Sequence, residues 1–149
     1  MTRKPFPTLP VIIVDDEEAI LSSTTKVLRA EGIDNIITCQ DPRDALKIIS
    51  ENSAETILLD LSMPHITGDE LLVKIQERFP EIPVIIITAS GEIDTAIRCI
   101  KNGAFDYMVK AVEPARLISG VRRSIDVRGL SRRYLNLRKN MLDNEVGNP

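Results

Sequence analysis

Short apolar runs alternate along the chain with amphipathic helical patterns. Five of these runs are rich in β-branched residues or leucine and stop at polar or turn-forming residues. This pattern is typical of strands in a parallel sheet that is buried on both faces. The runs occupy residues 11–14, 35–39, 57–60, 84–87 and 107–109.

Apolar residues at helical spacing fill the intervals between the predicted strands. The first helix ends near Gly32, the second begins with Asp41 as its N-cap and Pro42 in its first turn, and the fourth closes at Gly103. A last, long helical pattern opens at Pro114. Five strands that alternate with helices predict a doubly wound α/β domain with a parallel sheet and right-handed crossovers.

Polar or charged residues stand at the carboxyl ends of four of the five predicted strands. These residues are Asp15, Asp16, Asp60, Thr88 and Lys110. Because ligands bind at the carboxyl ends of strands in open α/β sheets, we expect the five side chains to share one site. Taken alone, Asp60 could equally cap the turn that follows its strand. It is the coincidence of the set that favours a functional site.

The residue types at these positions indicate phosphoryl chemistry. Three neighbouring carboxylates repel one another unless a cation is present, and an all-oxygen site with room for water suits Mg²⁺. A lysine such as Lys110 and a hydroxyl such as that of Thr88 can together hold phosphoryl oxygens. With Asp60 as the nucleophile, the product would be an aspartyl phosphate.

The motifs around these positions resemble the receiver domain of two-component response regulators. They are Asp15-Asp16, Asp60 in LLDLSMPHITG, Thr88 in IIITAS and Lys110 in FDYMVK, and the resemblance covers about residues 9–127. It implies a flavodoxin-like (CheY-like) sheet of five strands in the order 2-1-3-4-5. It also implies phosphorylation of Asp60 by a histidine kinase, with Mg²⁺ as cofactor.

The resemblance assigns a metal set and a switch pair to this sequence. It implies that Mg²⁺ is bound by Asp16, by Asp60 and by the backbone carbonyl of Ser62, with Asp15 assisting through water. Thr88 matches the switch hydroxyl that the phosphoryl group draws inward. Tyr107 matches the aromatic residue whose ring follows that movement.

The sequence departs from the family after its lysine. The family usually has a proline there, joined by a cis peptide bond, whereas Lys110 precedes Ala111 and the proline comes only at Pro114. A cis bond before alanine costs about 3 kcal/mol, so we expect a trans bond and an altered loop.

Two serines occupy the positions that tune water attack in the family. Ser62 and Ser90 offer neither a carboxylate nor an amide to orient a water molecule. We therefore expect slow autodephosphorylation, and no enzymatic activity beyond the chain's own phosphoryl transfer.

Composition indicates the number of domains and the cellular compartment. The chain has 149 residues, 43% of them hydrophobic, which fits one globular domain with a short appendage. Cys39 and Cys99 form no CxxC pattern, and the apolar run near the start is too short for a signal peptide or a membrane span. We expect a cytoplasmic protein with no membrane contact. His65, the only histidine, is interpreted as an exposed loop residue, since Mg²⁺ prefers oxygen ligands.

The C-terminal part of the chain is basic. Of the 19 basic residues 8 follow Pro114, against only 3 of the 22 acidic residues. No helix-turn-helix or zinc-finger spacing accompanies these charges, so contact with nucleic acid is expected only through an output domain outside the chain.

Two apolar stripes follow one another along the last helix. Leu117, Ile118, Val121 and Ile125 can face the sheet. Beyond them comes a stripe with the a/d spacing of a coiled coil, here called the seam. It comprises Val127, Leu130, Tyr134, Leu137 and Met141.

The seam predicts a homodimer, formed through this helix and the face of helix 4, strand 5 and helix 5. The helix resembles the linker of NtrC-type regulators, which suggests a piece of a longer activator of transcription. We divide the chain into an N-terminal extension (1–8), a receiver (9–127), a coiled-coil-like linker (128–143) and a disordered end (144–149).

Three alternatives remain at this point. The chain could be a stand-alone receiver that acts through protein–protein interaction or a phosphorelay. A phosphatase of the haloacid dehalogenase type also uses an aspartate at a strand end, but it places a second aspartate where this chain has Ser62. A flavodoxin-like cofactor binder would need a loop rich in Ser, Thr and Gly after the first strand, where this chain is acidic.

Overall fold

A five-stranded sheet forms the centre of the molecule, and helices cover both of its faces. The computed structural model describes residues 4–147, and from residue 144 onward its backbone alone. The strands are β1 (Val11–Val14), β2 (Ile36–Cys39), β3 (Thr56–Asp60), β4 (Val84–Thr88) and β5 (Asp106–Val109). The helices are α1 (Glu18–Ala30), α2 (Ala45–Asn52), α3 (Gly68–Arg78), α4 (Ile93–Lys101) and α5 (Pro114–Gly147).

All strand pairs in the sheet are parallel. The spatial order is β2-β1-β3-β4-β5. This order confirms the predicted flavodoxin-like, doubly wound α/β fold with an extended C-terminal helix.

Alternate residues of the strands supply two separate cores. On one face, Ile12, Ile57 and Ile86 belong to a cluster that includes residues of α2, α3 and α4. On the other face, Ile13 and Leu58 pack with residues of α1 and α5. Burial on both faces explains why each strand is a nearly continuous apolar run.

The second helix begins differently from the sequence prediction. Asp41 does act as an N-cap, because its side chain accepts a hydrogen bond from the backbone N–H of Arg43 at 3.0 Å. It caps a short 3₁₀ turn, Pro42–Asp44, and α2 starts only after that turn.

Helix α5 is continuous through three of the predicted segments. It packs on the sheet through Leu117 and Val121, as the sequence predicts, and residues Ser124 and Arg128 on the same face are also buried. The seam residues are all exposed. The helix passes through residues 144–147 of the expected disordered end, and residues 148–149 lie outside the described part of the chain.

The segment before β1 packs against the body of the domain. The carbonyl oxygen of Phe6 accepts hydrogen bonds from the backbone N–H groups of Asp34 and Asn35, at 2.9 and 3.0 Å. Pro7 is buried, and the Phe6-Pro7 peptide bond is cis. Of the predicted N-terminal extension, residues 1–3 lie outside the described part of the chain.

None of the helices between residues 4 and 147 combines the length and the apolar character that are needed to cross a lipid bilayer.

Candidate functional site

The carboxyl ends of four strands bring the candidate residues to one edge of the sheet. Asp15 follows β1 directly, and Asp60 is the last residue of β3. Thr88 ends β4, and Lys110 follows β5. The strands are parallel and adjacent, so these residues gather at one point although Asp15 and Lys110 are 95 positions apart in the sequence.

Lys110 forms ion pairs with two carboxylates at this edge. Its Nζ lies 3.1 Å from Oδ1 of Asp60 and 3.5 Å from Oδ2 of Asp15. Both carboxylates are almost fully buried, whereas the lysine side chain is 23% exposed. One cation thus faces two buried anions, which leaves negative charge in excess at the site.

Asp15, Asp16 and Asp60 form an acidic cluster that could hold a cation. One carboxylate oxygen of each residue lies within 4.8 Å of the corresponding oxygens of the other two. Oδ2 of Asp60 is buried and has no hydrogen-bond partner among the residues that the structure describes. Oδ1 of Asp15 accepts a hydrogen bond from the backbone N–H of Glu17 at 2.9 Å, which fixes that carboxylate in place.

The electrostatics of the cluster follow from its burial. Burial and the neighbouring charge of Asp15 raise the pKa of Asp60 from 3.8 to about 6, against the opposing effect of Lys110. Burial also raises the pKa of Asp15. Burial lowers the pKa of Lys110, but its hydrogen bond to Asp60 and the two carboxylate charges outweigh this effect, so that the net pKa is raised. The lysine therefore stays charged, and the cluster attracts further positive charge.

Residues 11–122 match the family model described as the response regulator receiver domain. The matched segment contains the whole acidic cluster and Lys110. This chain belongs to the response regulator receiver family. Membership confirms the predicted resemblance to a family of signalling domains that are generally not enzymes. It decides against the haloacid dehalogenase and flavin-binding alternatives, which are different families.

Several longer regulators are similar to this receiver. An NtrX-like response regulator of Rickettsia typhi is 37% identical over 137 residues, which cover 91% of the chain and 29% of that relative. The transcriptional regulatory protein PrrA of Mycobacterium tuberculosis is 30% identical over 119 residues, covering 80% of the chain and 51% of the relative. The chain thus spans less than a third of the NtrX-like relative and about half of PrrA.

Solved structures of NtrX from Brucella abortus share the fold. Its complex with ADP superposes with a TM-score of 0.80 at 31% identity, over 86% of this chain and 29% of that one. Its receiver domain alone gives a TM-score of 0.74 at 31% identity, over 78% of this chain and 98% of that one. These similarities support a receiver of the NtrC type.

The two candidate switch residues lie on neighbouring strands of the receiver. Thr88 is fully buried, and its hydroxyl donates a hydrogen bond to the carbonyl oxygen of Ala89 at 3.1 Å rather than to Asp60. Tyr107, on β5, is partly buried and packs against the core cluster that contains Ile86. Both residues thus lie on strands that lead to the site, and neither belongs to the ion pairs that Lys110 forms with Asp15 and Asp60.

The peptide bond between Lys110 and Ala111 is cis, so the expectation of a trans bond is wrong. That expectation used only the preference of an isolated peptide bond. It ignored the contacts that hold Lys110 in the fold, namely the two ion pairs of its side chain and a 2.7 Å hydrogen bond from its backbone N–H to the carbonyl oxygen of Thr88.

Ser62 contacts a residue that sequence reasoning missed. Its hydroxyl donates a hydrogen bond to Oε1 of Glu92, which joins the loop after β3 to the 3₁₀ turn after β4. Glu92 lies two positions beyond Ser90 in the sequence. No spacing signal in the sequence pairs residues 62 and 92.

Gly68 is the second residue that the sequence analysis did not connect with the site. A Cβ atom at this position would overlap the carbonyl oxygen of Asp60 and would come within 2.7 Å of the Cα of Leu61. The backbone N–H of Gly68 also donates a 2.8 Å hydrogen bond to the carbonyl oxygen of Leu61. The first residue of α3 therefore packs directly behind the phosphoacceptor candidate, which requires glycine.

The remaining candidates behave as structural residues. His65 is exposed in the loop after β3, with a positive φ of 73°. Cys39 and Cys99 are buried free thiols, and burial raises the pKa of Cys39 to about 11. At that pKa the thiol of Cys39 is protonated near neutral pH and is a poor nucleophile.

Proposed function

We propose that this receiver accepts a phosphoryl group on Asp60 from a phosphohistidine of a histidine kinase. The observation that carries the proposal is the state of the Asp60 carboxylate. One of its oxygens is paired with Lys110, and the other is buried and has no hydrogen-bond partner among the described residues. A buried carboxylate oxygen without a hydrogen-bond partner costs free energy. A ligand that binds this oxygen would remove the cost, which supports a binding role for Asp60.

The residues at the strand ends suit an in-line displacement at phosphorus. A carboxylate oxygen of Asp60 forms a bond to phosphorus while the bond from phosphorus to the donor nitrogen breaks, and the electron pair stays on the imidazole nitrogen. Lys110, already 3.1 Å from Asp60, places its charge where negative charge spreads over the phosphoryl oxygens. Asp60 attacks as the anion, which predominates above its pKa of about 6.

The acidic cluster fits Mg²⁺ as the cofactor. The donor set of carboxylates is typical of a hard divalent cation, and the unpartnered oxygen of Asp60 leaves room for a ligand bond. Asp16, Asp60 and the backbone carbonyl of Ser62 would hold the ion, with Asp15 assisting through water. Bound there, the ion would neutralise phosphoryl charge that Lys110 alone leaves uncompensated.

Thr88 and Tyr107 are proposed as the switch that reports phosphorylation. The hydroxyl of Thr88 is free to leave its weak bond to Ala89, a neighbour in sequence, and to donate to a phosphoryl oxygen. The space that it vacates lies next to β5, so the partly buried ring of Tyr107 can move inward. This movement would change the surface formed by α4, β5 and α5.

Phosphodonor treatment followed by intact-mass measurement tests the phosphoacceptor proposal. The chain should gain the mass of one phosphoryl group from a small-molecule phosphodonor, and chelation of divalent cations should suppress the gain. Asp60→Asn should gain nothing, whereas the control His65→Gln should react like the parent. Equal uptake by Asp60→Asn and the parent, or indifference to chelation, would show that the site is wrong.

We also propose that the protein forms a homodimer through the seam and the face of α4, β5 and α5. The seam presents apolar side chains to solvent over four helical turns, and Leu130 and Leu137 are 59% and 63% exposed. On α4, Ile97 and Ile100 are also exposed. Light scattering should give a dimer for the parent at tens of micromolar, and a monomer for Leu130→Lys combined with Leu137→Lys.

The seam substitutions are chosen because both leucines are exposed in the described structure and should not disturb the core. A matched control is Arg133→Lys, which lies between them, is exposed and keeps its charge. If the parent is a monomer with or without phosphorylation, the dimer proposal fails.

We infer that the output of the receiver is control of transcription by a domain outside this chain. The support is that the chain covers 29% of an NtrX-like regulator and 51% of a protein named as a transcriptional regulator. A stand-alone receiver that acts through protein contacts or a phosphorelay is the alternative. In the full-length protein, phosphorylation of Asp60 should change transcription from its target promoter, and an Asp60→Asn protein should not respond.

A further inference from the structure

Glu55 is a buried carboxylate at the edge of the sheet opposite to Asp60. It precedes β3 by one residue and is 1% exposed. Its Oε1 lies 2.8 Å from the guanidinium of Arg132 and 3.4 Å from the backbone N–H of Leu9, which donates to it. A buried carboxylate that loses its ion-pair partner is strongly destabilised, so Arg132 stabilises Glu55 in its buried position.

A second arginine on α5 holds the neighbouring residue. Arg128 is 6% exposed, and its Nε donates a 3.4 Å hydrogen bond to the carbonyl oxygen of Ala54. Arg128 and Arg132 are four positions apart and therefore lie on one face of the helix. We call the contacts of Arg128 and Arg132 with Ala54 and Glu55 the clasp.

Glu55 also connects the clasp to the segment before β1. The backbone N–H of Glu55 donates a 2.9 Å hydrogen bond to the carbonyl oxygen of Pro10, and its side chain accepts from Leu9. Three parts of the chain that are distant in sequence therefore meet at Glu55. They are the segment before β1, the start of β3, and α5 about two to three turns beyond residue 122, where the family match ends.

We propose that the clasp makes α5, as far as Arg132, a rigid part of the receiver, so that the receiver fixes the direction in which the seam points. The clasp residues face the receiver, whereas Leu130, Tyr134 and Leu137 lie on the opposite side of the helix and are exposed. The unit that moves with the receiver thus extends past the predicted boundary at 127. That this sets dimer geometry during signalling rests on the proposed function; the attachment itself does not.

Amide hydrogen exchange on the full chain tests the clasp. Glu55→Gln and Arg132→Gln should each raise the exchange rates of the backbone amides between residues 126 and 136 by about tenfold. An effect of this size is expected when an ion pair between a buried carboxylate and a partly exposed arginine is lost. The double variant should add little to the larger single effect, because both changes break the same contact. Amides of β1 and β4 should keep the parent's rates.

Arg133→Gln is the matched control. This variant also removes one positive charge, but from an exposed side chain at the next position of the helix. It should leave all exchange rates unchanged. If Glu55→Gln fails to fold, Arg132→Gln still decides the matter, since Arg132 is 38% exposed and lies outside the core. Equal exchange rates in Arg132→Gln and Arg133→Gln would overturn the proposal.

The clasp and the dimer can fail separately. The exchange measurement is repeated in the Leu130→Lys, Leu137→Lys background, which removes the proposed dimer contact but none of the clasp residues. Protection of residues 126–132 in that background, lost on Arg132→Gln, would establish the clasp in a chain that has no dimer. Protection that disappears with the seam substitutions alone would show that the partner helix, and not the clasp, orders this part of α5.

Discussion

Neutralising Asp60 should stabilise the fold, and the gain should depend on pH. The folded domain raises the pKa of Asp60 from 3.8 to about 6 through burial and the charge of Asp15. Between these two values the folded chain binds more protons than the unfolded chain, so the free energy of unfolding falls as the pH rises. Above pH 6 the buried, ionised carboxylate lowers the free energy of unfolding by its full amount. Asp60→Asn removes this charge while keeping the shape of the side chain.

The size of the effect follows from the two pKa values. At 1.36 kcal/mol for each pH unit, the difference between 3.8 and about 6 corresponds to about 3 kcal/mol. In buffer free of divalent cations, Asp60→Asn should therefore exceed the parent in free energy of unfolding by about 3 kcal/mol at pH 8, and by only about 0.5 kcal/mol at pH 4. Urea unfolding followed by circular dichroism suits the measurement, since the chain has no tryptophan.

An aspartate with the opposite perturbation provides the control. The hydrogen bonds from Arg43 lower the pKa of Asp41 to about 2, so Asp41→Asn should not stabilise the chain at any pH in this range. The reasoning would be refuted if the difference between Asp60→Asn and the parent stayed constant from pH 4 to pH 8, or if Asp60→Asn were the less stable protein at pH 8.

Three further results are expected. Gly68→Ala should lower the free energy of unfolding by about 2 kcal/mol in urea titrations, because its Cβ meets backbone, whereas Gly129→Ala, with open space around it, should raise the stability of the helix by up to about 1 kcal/mol. Mg²⁺ should raise the thermal midpoint of the parent more than that of Asp16→Asn in a calorimetric scan, and equal shifts would remove Asp16 from the metal set. The phosphoryl group should be lost slowly, and Ser62→Asn combined with Ser90→Glu should speed its loss in a mass-based time course; unchanged or slower decay would contradict this role of the two positions.

The sequence predicted that these side chains gather at one edge of the sheet, because that placement depends on local signals. Each strand is an apolar run that ends at a polar residue, and parallel pairing carries those ends to one edge. The order of the strands was enough to predict that Asp60 and Lys110 lie close together. Their 3.1 Å contact follows from the fold itself.

The features that the sequence did not predict arise from tertiary contacts. Glu55 and Arg132 are 77 positions apart, and each alone looks like an ordinary surface charge in the sequence. The hydrogen bond between Ser62 and Glu92 joins two loops whose approach depends on side-chain packing. The periodicity of α5 predicted its two apolar stripes but not the burial of Arg128, because a buried arginine does not register as part of an apolar stripe.

The most direct test of the account is to locate the phosphoryl group. The phosphorylated chain is treated with borohydride, which reduces an aspartyl phosphate to homoserine, and its peptides are then sequenced by tandem mass spectrometry. The account predicts homoserine at position 60, in a yield that falls when Lys110→Ala removes the cation 3.1 Å from the carboxylate. Homoserine at position 15 or 16 with none at position 60, or a phosphoryl group on His65, would contradict it.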